Sequence, residues 1–548
     1  MRLKPGAKVF LAIVVLVLIG AGAYRLGWLN PVMKVIAPER KPAGKVEQTD
    51  FTFAQGGGEK TPAGQAAQPA GGAPSMPPPS GKARKLDRPV RVGIVLYGGF
   101  AGGLIANGGK PANKDCLYFK KYGIEVEFAQ IDDLGEMANA FRAGGDKGGL
   151  DIMATTVDMF AMQYPSMEAL KPVTIMQTDW SRGADAIAVA KGISSAAGLK
   201  GKSVAVAEGS PSHFLLLYVL TQAGMNAQDI KPVYTASAIE AAQVFKSGKV
   251  DACVAWSPDV YMAADSRPGA RILASTREAT SLLGGTLVAR GDFCSEHPDE
   301  LAKFISGWFD GVKQAEDDPD VAAQVLVKSF EGITLDDANG MLADVKLQDA
   351  AGNREFFGLS GTPLVGYDDL FTSANRIWKK VGLLDQTARP DISRDTAFLA
   401  AATKSLGLVA VKPATQEFEF KEPTKGVKEQ APIVTKRVSV YFATGSAALD
   451  PNAKLILEQA AELAQTFGAT YIRVSGNTDS TGSRQMNVEL SQKRAQSVVD
   501  FLVGKYGFPR AKFIVVGNGP DKPVDSNDTE DGRAKNRRTD FEVLPKEG

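Results

Sequence analysis

Polar and charged side chains are concentrated near the C-terminus, in VSGNTDSTGSRQMNVELSQKRA at Val474–Ala495. A β-branched run there enters a glycine-rich turn that carries Asn477, Thr478 and Asp479. A helical pattern follows, with Arg494 midway along it. A carboxylate can bind an ammonium, and a planar guanidinium can bind a carboxylate through two parallel hydrogen bonds. These residue types together suit a zwitterionic ligand.

This segment resembles the OmpA-like peptidoglycan-binding domain. Further matches to that domain are Tyr441 and Phe442 with Ser446, GNGPDKPVDSN at Gly517–Asn527, and GRAKNRR at Gly532–Arg538. Because several spaced motifs agree, the resemblance covers a whole domain. It implies a small α+β domain over residues 435–548.

The resemblance also implies a ligand and its contacts. Asp479 and Arg494 are expected to bind the zwitterionic end of diaminopimelate in the peptide stem of peptidoglycan. Asn477, Thr478 and Asn487 are expected to assist them. The alternative is that Asp479 only caps the turn and that Arg494 pairs with it on the surface.

The composition is that of a globular protein of several domains. The chain has 548 residues, of which 44% are apolar and 23% charged, and its net charge is +1. This length predicts two or three domains, and the charge gives no indication of a nucleic-acid partner. Three scattered cysteines and two histidines favour neither a disulfide scaffold nor a metal site. We therefore predict no cofactor, no metal and no catalytic residue, since no nucleophile–base set or carboxylate pair has a suitable spacing.

Residues 1–30 begin with basic residues and continue into an uncharged apolar run, Val9–Tyr24. A cleaved signal peptide would use the small residues at 21–23 as its cut site. An uncleaved anchor would extend the run past that site towards the roughly 20 residues that a spanning helix needs. We favour the anchor, with a single pass through the bacterial inner membrane and the bulk of the chain in the periplasm. An N-terminal transmembrane helix is thus part of the predicted architecture.

Two segments have the composition of linkers. Residues 41–88 are rich in Pro, Gly and Ala and cannot bury enough apolar surface to fold, so we predict a disordered tether there. Residues 411–434 mix Pro, Lys and Glu. This second linker is expected to let the domains on either side move independently.

The largest ordered unit is predicted at residues 89–410. Strand-like runs such as Val90–Leu96, Ile124–Gln130 and Leu150–Thr156 alternate with helical stretches, and a second series of the same kind follows. Such alternation is typical of βαβ units in a largely parallel sheet. The predicted class is therefore α/β, with two lobes.

Two segments of this unit carry a family resemblance. They are LKGKSVAVAEGSPSHFLLLYVLTQAGMNAQDI at Leu199–Ile230 and AAQVFKSGKVDACVAWSP at Ala241–Pro258. Both resemble the periplasmic solute-binding proteins for taurine, alkanesulfonate, nitrate and thiamine precursors. The resemblance implies a bilobal Venus-flytrap domain with its ligand in the cleft, and an ABC permease or another envelope protein as a partner.

Four residues are candidates for the cleft. Ser210 and Ser212 put hydroxyls and free backbone N–H groups at a helix start, which suits an anion or a ligand carboxylate. Trp256 ends a strand and can stack on a ligand, and Asp179 can take a ligand amine. Three of them have a structural alternative, which is a helix cap for the two serines and lobe packing for Trp256, while Asp179 is expected at the cleft mouth or hinge.

Two functions remain open at this point. One is an anchored envelope protein that binds peptidoglycan and a small anionic or zwitterionic solute. The other is a structural or signalling adaptor whose flytrap domain binds a protein partner and does not serve transport.

Overall fold

The computed structural model describes residues 85–407, 417–440, 442–443 and 445–546. The strands within these residues form three sheets, which have six, five and four strands. The first two sheets belong to the two lobes of the large domain, and the third belongs to the C-terminal domain.

The six-stranded sheet forms the first lobe. Its strands are β1 (Val90–Ile94), β2 (Val126–Gln130), β3 (Ile152–Thr156), β4 (Val173–Ser181), β10 (Gly284–Ala289) and β11 (Val345–Leu347). Their order is β11-β4-β10-β3-β1-β2, and β1 is parallel to both β2 and β3. The first helices of this lobe are α1 (Ala101–Asn107), α2 (Leu117–Tyr122), α3 (Leu134–Ala143) and α4 (Val157–Met167).

The five-stranded sheet forms the second lobe. Its strands are β5 (Asp185–Val189), β6 (Ser203–Ala207), β7 (Lys231–Thr235), β8 (Ala252–Trp256) and β9 (Arg271–Ser275). Their order is β7-β6-β8-β5-β9. The helices between them are α5 (Pro211–Gln222), α6 (Ala238–Lys246) and α7 (Asp259–Asp265).

The chain crosses between the lobes twice, after β4 and after β9. The hydroxyls of Ser181 and Thr276 lie 2.8 Å apart and join the two crossings. The Thr276 hydroxyl also accepts a hydrogen bond from the Gly183 amide at 2.9 Å. These hydrogen bonds hold the two connections between the lobes against each other.

A helical segment that packs mainly on the first lobe follows β10. Its helices are α8 (Gly291–Glu296), α9 (Pro298–Asp317), α10 (Pro319–Ser329), α11 (Leu335–Ala343), α12 (Ala350–Phe356), α13 (Tyr367–Lys380) and α14 (Ala397–Ser405). Pro298 stabilises the start of helix α9, because its fixed backbone angle suits the first turn. The negative charges of Asp299 and Glu300 in the same turn interact favourably with the positive end of the helix dipole. Trp308, on its apolar face, is fully buried.

The glycine-rich stretch at residues 98–116 forms α1 and packs closely on α9. A Cβ at Gly311 would collide with the Gly102 carbonyl oxygen, and one at Gly103 would collide with the Trp308 ring. The glycines therefore allow two helices to approach more closely than side chains would permit. This stretch is part of the core of the first lobe.

The C-terminal domain is a four-stranded sheet covered by helices. Its strands are β12 (Val434–Val438), β13 (Tyr471–Asn477), β14 (Phe513–Gly519) and β15 (Thr539–Leu544), in the order β12-β15-β13-β14. Its helices are α15 (Lys425–Glu429), α16 (Pro451–Thr466), α17 (Arg484–Tyr506) and α18 (Glu530–Asn536). Helix α17 is capped by Ser483 and ends at Gly507, which has a φ of 70°.

The α/β class, the two lobes and the small C-terminal domain are confirmed. The predicted transmembrane helix, within residues 1–30, lies outside the described residues, as does the tether up to residue 84. Among the helices that the structure describes, none combines the length and the apolar character that crossing a membrane requires.

The C-terminal domain packs against the second lobe, which differs from the predicted independent movement. The Phe467 ring is fully buried and lies 6.4 Å from the Tyr218 ring of α5. The Lys436 ammonium donates to the Gln222 side chain at 2.9 Å, and the Ala196 amide donates to the Ile433 carbonyl at 2.8 Å. The prediction of independent movement relied on the composition of the linker alone. The contacts between the domains are made by residues distant in sequence, which that composition does not reveal.

We expect Phe467→Ala to lower the free energy of unfolding by about 3–5 kcal/mol, because it removes a buried ring at this interface. Leu455→Ala is the matched control, since Leu455 lies on α16 and is 65% exposed. Its effect should stay within about 0.5 kcal/mol. Denaturant titration of the full chain measures both, and equal effects would show that Phe467 contributes no more than a surface residue.

Candidate functional site

The first candidate site lies where β13 ends and α17 begins. The Asp479 carboxylate accepts a hydrogen bond from the Thr481 amide at 2.9 Å and forms an ion pair with Arg537 at 2.7 Å. Burial raises the pKa of Asp479, but the hydrogen bonds from Arg537 and Thr481 outweigh it, so the pKa is lowered overall. Asp479 is therefore ionised at neutral pH.

Arg494 lies on α17 opposite this turn. Its Nε donates to the Ser446 carbonyl at 2.9 Å and its Nη2 to the Ala443 carbonyl at 3.3 Å. The guanidinium also lies 4.9 Å from the centre of the Phe442 ring. Burial lowers the pKa of Arg494, and the charge of the nearby Asp479 acts against that effect. The structure thus brings an oriented guanidinium and a carboxylate to one site.

The three assisting residues hold the turn. The buried Asn477 amide donates to the Asp540 carboxylate at 3.2 Å, and its oxygen accepts from Asn518 at 3.0 Å. The Thr478 hydroxyl donates to the Asp479 carbonyl at 2.8 Å. Asn487 donates to the Thr481 carbonyl at 2.9 Å. These side chains position Asp479 through the backbone around it.

Arg537 is the residue that the sequence reasoning did not assign. It lies just after α18 and bonds to Asp479 and, at 2.8 Å, to Glu530. A sequence signal exists, because Arg537 lies within GRAKNRR, one of the motifs that resemble the OmpA-like domain. Only the fold brings it to Asp479, which is 58 residues away in sequence.

The second candidate site lies between the two lobes, at the carboxyl ends of the parallel strands. Ser210 caps α5: it accepts from the His213 amide at 3.2 Å and donates to the Ala207 carbonyl at 2.8 Å. Ser212 donates to the Asp185 carboxylate at 2.6 Å. Both hydroxyls are buried and hydrogen-bonded within the protein. Ser210 thus forms the predicted helix cap, whereas the Ser212 hydroxyl is hydrogen-bonded to a carboxylate of the protein.

Asp179 and Trp256 lie at the same edge. The Asp179 carboxylate accepts from the Tyr97 hydroxyl at 2.8 Å and from the Thr178 hydroxyl at 2.7 Å. Trp256 ends β8 and is 38% exposed. It pairs in register with Asp185 on β5. The structure therefore gathers the four predicted residues around the junction of the lobes.

Sequence reasoning missed two carboxylates in this cleft, Asp158 and Asp185. Asp158 lies in the first turn of α4 in the first lobe and is 2% exposed. Neither of its carboxylate oxygens makes a hydrogen bond of normal geometry, although the Thr156 hydroxyl and the Asp158 and Met159 amides lie near enough to oppose the effect of burial on its pKa. A sequence signal existed, because Asp158 lies two residues after the predicted strand ending at Thr156, where parallel strands present ligand-binding residues.

Burial dominates the ionisation of these carboxyls. It raises the pKa of Asp158 to about 7 and the pKa values of Asp179 and Asp185 to about 6. The charge of Asp185 raises the pKa of Asp158 further. Burial lowers the pKa of His213 to about 4, so this ring is neutral at pH 7. These carboxyls are therefore mostly ionised only above about pH 7, where His213 adds no positive charge.

Metal chemistry has no support among the described residues. They contain no group of three or more His, Cys, Asp or Glu side chains that could hold a metal ion. Cys116, Cys253 and Cys294 are buried free thiols.

Two protein-family models match the chain. The one described as OmpA family matches residues 441–537, and the one described as NMT1/THI5 like matches residues 113–322. Both resemblances predicted from the motifs are therefore confirmed.

Several curated proteins are similar in sequence, and three of them show the range of coverage. Outer membrane protein A of Bordetella avium is 34% identical over 148 residues, which cover 27% of this chain and 73% of that protein. The probable lipoprotein YiaD of Escherichia coli is 36% identical over 107 residues, covering 20% and 48%. The peptidoglycan-binding protein ArfA of Mycobacterium tuberculosis is 36% identical over 104 residues, covering 19% and 32%. The chain thus spans less than half the length of the last two.

Solved structures resemble the large domain only loosely. The aliphatic sulphonate binding protein SsuA of Escherichia coli has a TM-score of 0.45 at 20% identity, over 57% of this chain and 99% of that one. The nitrate-binding protein NrtA of Synechocystis has a TM-score of 0.46 at 14% identity, over 59% and 91%. The desulfurization enzyme DSZB has a TM-score of 0.41 at 13% identity, over 58% and 100%. At these scores the likenesses carry no argument about function.

We expect Asp158→Asn to stabilise the protein at pH 8 and to leave it nearly unchanged at pH 4. The folded state binds the Asp158 proton more tightly than the unfolded chain does, so this group lowers stability as the pH rises from about 4 to 7. The gain at pH 8 should be at most about 4 kcal/mol.

Denaturant titration at the two pH values measures this effect. Asp385→Asn is the matched control, because Asp385 is an exposed carboxylate of the same domain, and it should show no such pH dependence. Equal stability of Asp158→Asn and the parent at pH 8 would mean that the buried charge is already compensated.

Proposed function

Because the chain belongs to the OmpA family through residues 441–537, we propose that this protein binds peptidoglycan through its C-terminal domain. Its bilobal domain binds a small solute, and the N-terminal segment anchors the chain in the inner membrane. The protein thus holds a solute-binding domain at the cell wall. It has no catalytic role in this proposal.

The observation that carries the proposal is the arrangement of Asp479 and Arg494 around one turn. The Asp479 carboxylate is ionised and mostly buried, and the Arg494 guanidinium is oriented by two carbonyls and an aromatic ring. The ammonium of a diaminopimelate end would bind Asp479, and its carboxylate would bind Arg494.

Arg537 fits the same mechanism as a positioning residue. Its ion pair compensates the Asp479 charge when no ligand is bound, which lowers the cost of holding that carboxylate in a partly buried place. It also leaves a second guanidinium beside the site for the ligand carboxylate.

We expect Asp479→Ala and Arg494→Ala each to weaken wall binding by about 2–5 kcal/mol, because each leaves a ligand charge without its partner. Arg494→Lys should bind almost as poorly, since an ammonium cannot form the planar fork. Asn487→Ala should cost about 1 kcal/mol, because it loses one neutral hydrogen bond that holds the turn. Co-sedimentation of the full chain with purified peptidoglycan measures these losses.

The matched control is Lys493→Ala, which removes the exposed charge next to Arg494 and should bind like the parent. Circular dichroism should show that all variants are folded. If both alanine variants sediment with the wall as well as the parent does, the peptidoglycan assignment is wrong.

Membrane anchoring rests on residues 1–30, where basic residues precede the uncharged run Val9–Tyr24. We expect the full chain to need detergent for extraction and to retain residues before Tyr24. Deleting residues 9–24 should release it from the membrane fraction. Soluble protein that begins at Tyr24 would instead identify a cleaved signal peptide.

The solute role is supported by the NMT1/THI5-like match and by the buried polar junction of the two lobes. An ABC permease would be the partner if the solute is taken up. The Ser212 hydroxyl, expected to bind an anion, already donates to Asp185. This contact favours the zwitterionic solute over the anionic one.

A further inference from the structure

The two lobes bring carboxylates together at their junction. Asp158 comes from α4 of the first lobe and Asp185 from the start of β5 in the second, and they are close enough to interact electrostatically. Asp179 lies at the end of β4 on the same edge. Asp344 also acts on Asp185, but its own charge is paired with Arg277 at 3.2 Å. Three buried carboxyl groups that form no ion pair among the described residues, Asp158, Asp179 and Asp185, therefore meet at the junction.

Asp158 is the group that this arrangement leaves unsatisfied. It is 2% exposed, and both of its carboxylate oxygens lack a hydrogen-bond partner. The Thr156 hydroxyl lies beside it and partly offsets the effect of burial, without a hydrogen bond of normal geometry. Asp179 and Asp185, by contrast, accept hydrogen bonds from Tyr97, Thr178 and Ser212. An unpartnered buried carboxylate is costly, so a ligand that donates hydrogen bonds to it would gain much of its affinity there.

Trp256 adds an aromatic surface next to these carboxylates. It pairs with Asp185 across β8 and β5 and remains 38% exposed, whereas most large apolar side chains of the second lobe are buried. An exposed indole beside a carboxylate is a favourable place for a cation, which is attracted by both the ring face and the charge.

We infer that the solute carries a positively charged group with N–H donors, an ammonium or a guanidinium, which binds between Asp158 and Asp185. This inference rests on the proposed solute-binding function and names the chemical class of its ligand. N–H donors are required because the Asp158 oxygens need hydrogen bonds as well as a compensating charge. A quaternary ammonium satisfies only the second need.

The test compares small ions of different chemistry with the full chain in detergent at pH 8. Putrescine offers primary ammonium groups, agmatine offers a guanidinium, choline is quaternary, glycine is zwitterionic, and isethionate and nitrate are anions. We expect putrescine or agmatine to raise the unfolding temperature, because a ligand that binds only the folded state stabilises it. Choline, isethionate and nitrate should have little effect.

Substitutions of the cleft carboxylates test where the cation binds. Asp158→Asn and Asp185→Asn should each raise the Kd of the active probe at least tenfold in calorimetric titration. Asp158→Asn should remain folded, because it removes an uncompensated buried charge. Asp385→Asn, the exposed control, should bind like the parent.

The other outcomes separate this inference from the proposed function. Stabilisation by isethionate or nitrate alone would overturn the cationic ligand while leaving a solute-binding role. A cation that binds both cleft variants as tightly as the parent would overturn the assignment to Asp158 and Asp185. If neither putrescine nor agmatine changes the unfolding temperature, the inference of a cationic ligand is wrong.

Discussion

The desolvation of charged side chains governs how both candidate sites of this protein are built. A carboxylate that leaves water needs an opposite charge or several hydrogen bonds to remain ionised. At the C-terminal site, Asp479 has Arg537 and the Thr481 amide, so its charge is compensated within the chain. At the lobe junction, Asp158 has no such partner. The C-terminal site is thus preorganised, whereas the site at the lobe junction has a buried carboxylate whose charge a ligand could compensate.

Helix α5 connects the C-terminal domain with the junction of the two lobes. The Phe467 ring packs on Tyr218, and the Lys436 ammonium reaches Gln222, so the C-terminal domain rests on α5. Ser210 and Ser212 lie at the N-terminal end of the same helix. Helix α5 therefore contacts the C-terminal domain at one end and the junction of the two lobes at the other.

Much of the fold could be predicted because it depends on local patterns. Helix α6 begins after the capping residue Ser237, and helix α9 begins with Pro298 in its first turn, and both are start signals that the sequence displays directly. The partner of Asp479 could not be predicted in this way, because Arg537 reaches it only through the pairing of distant strands. The docking of the C-terminal domain was missed for the same reason.

The sequence by itself determined the α/β lobes, the C-terminal domain and the positions of Asp479 and Arg494. These features depend on periodicity and motif spacing, which a linear chain displays directly. Only the tertiary structure decided which charges are compensated. Ser212 looks like an anion donor in the sequence, yet folding places it against Asp185 and leaves Asp158 without a partner. Whether a buried charge is satisfied depends on neighbours from several elements, and that information exists only after the chain has folded.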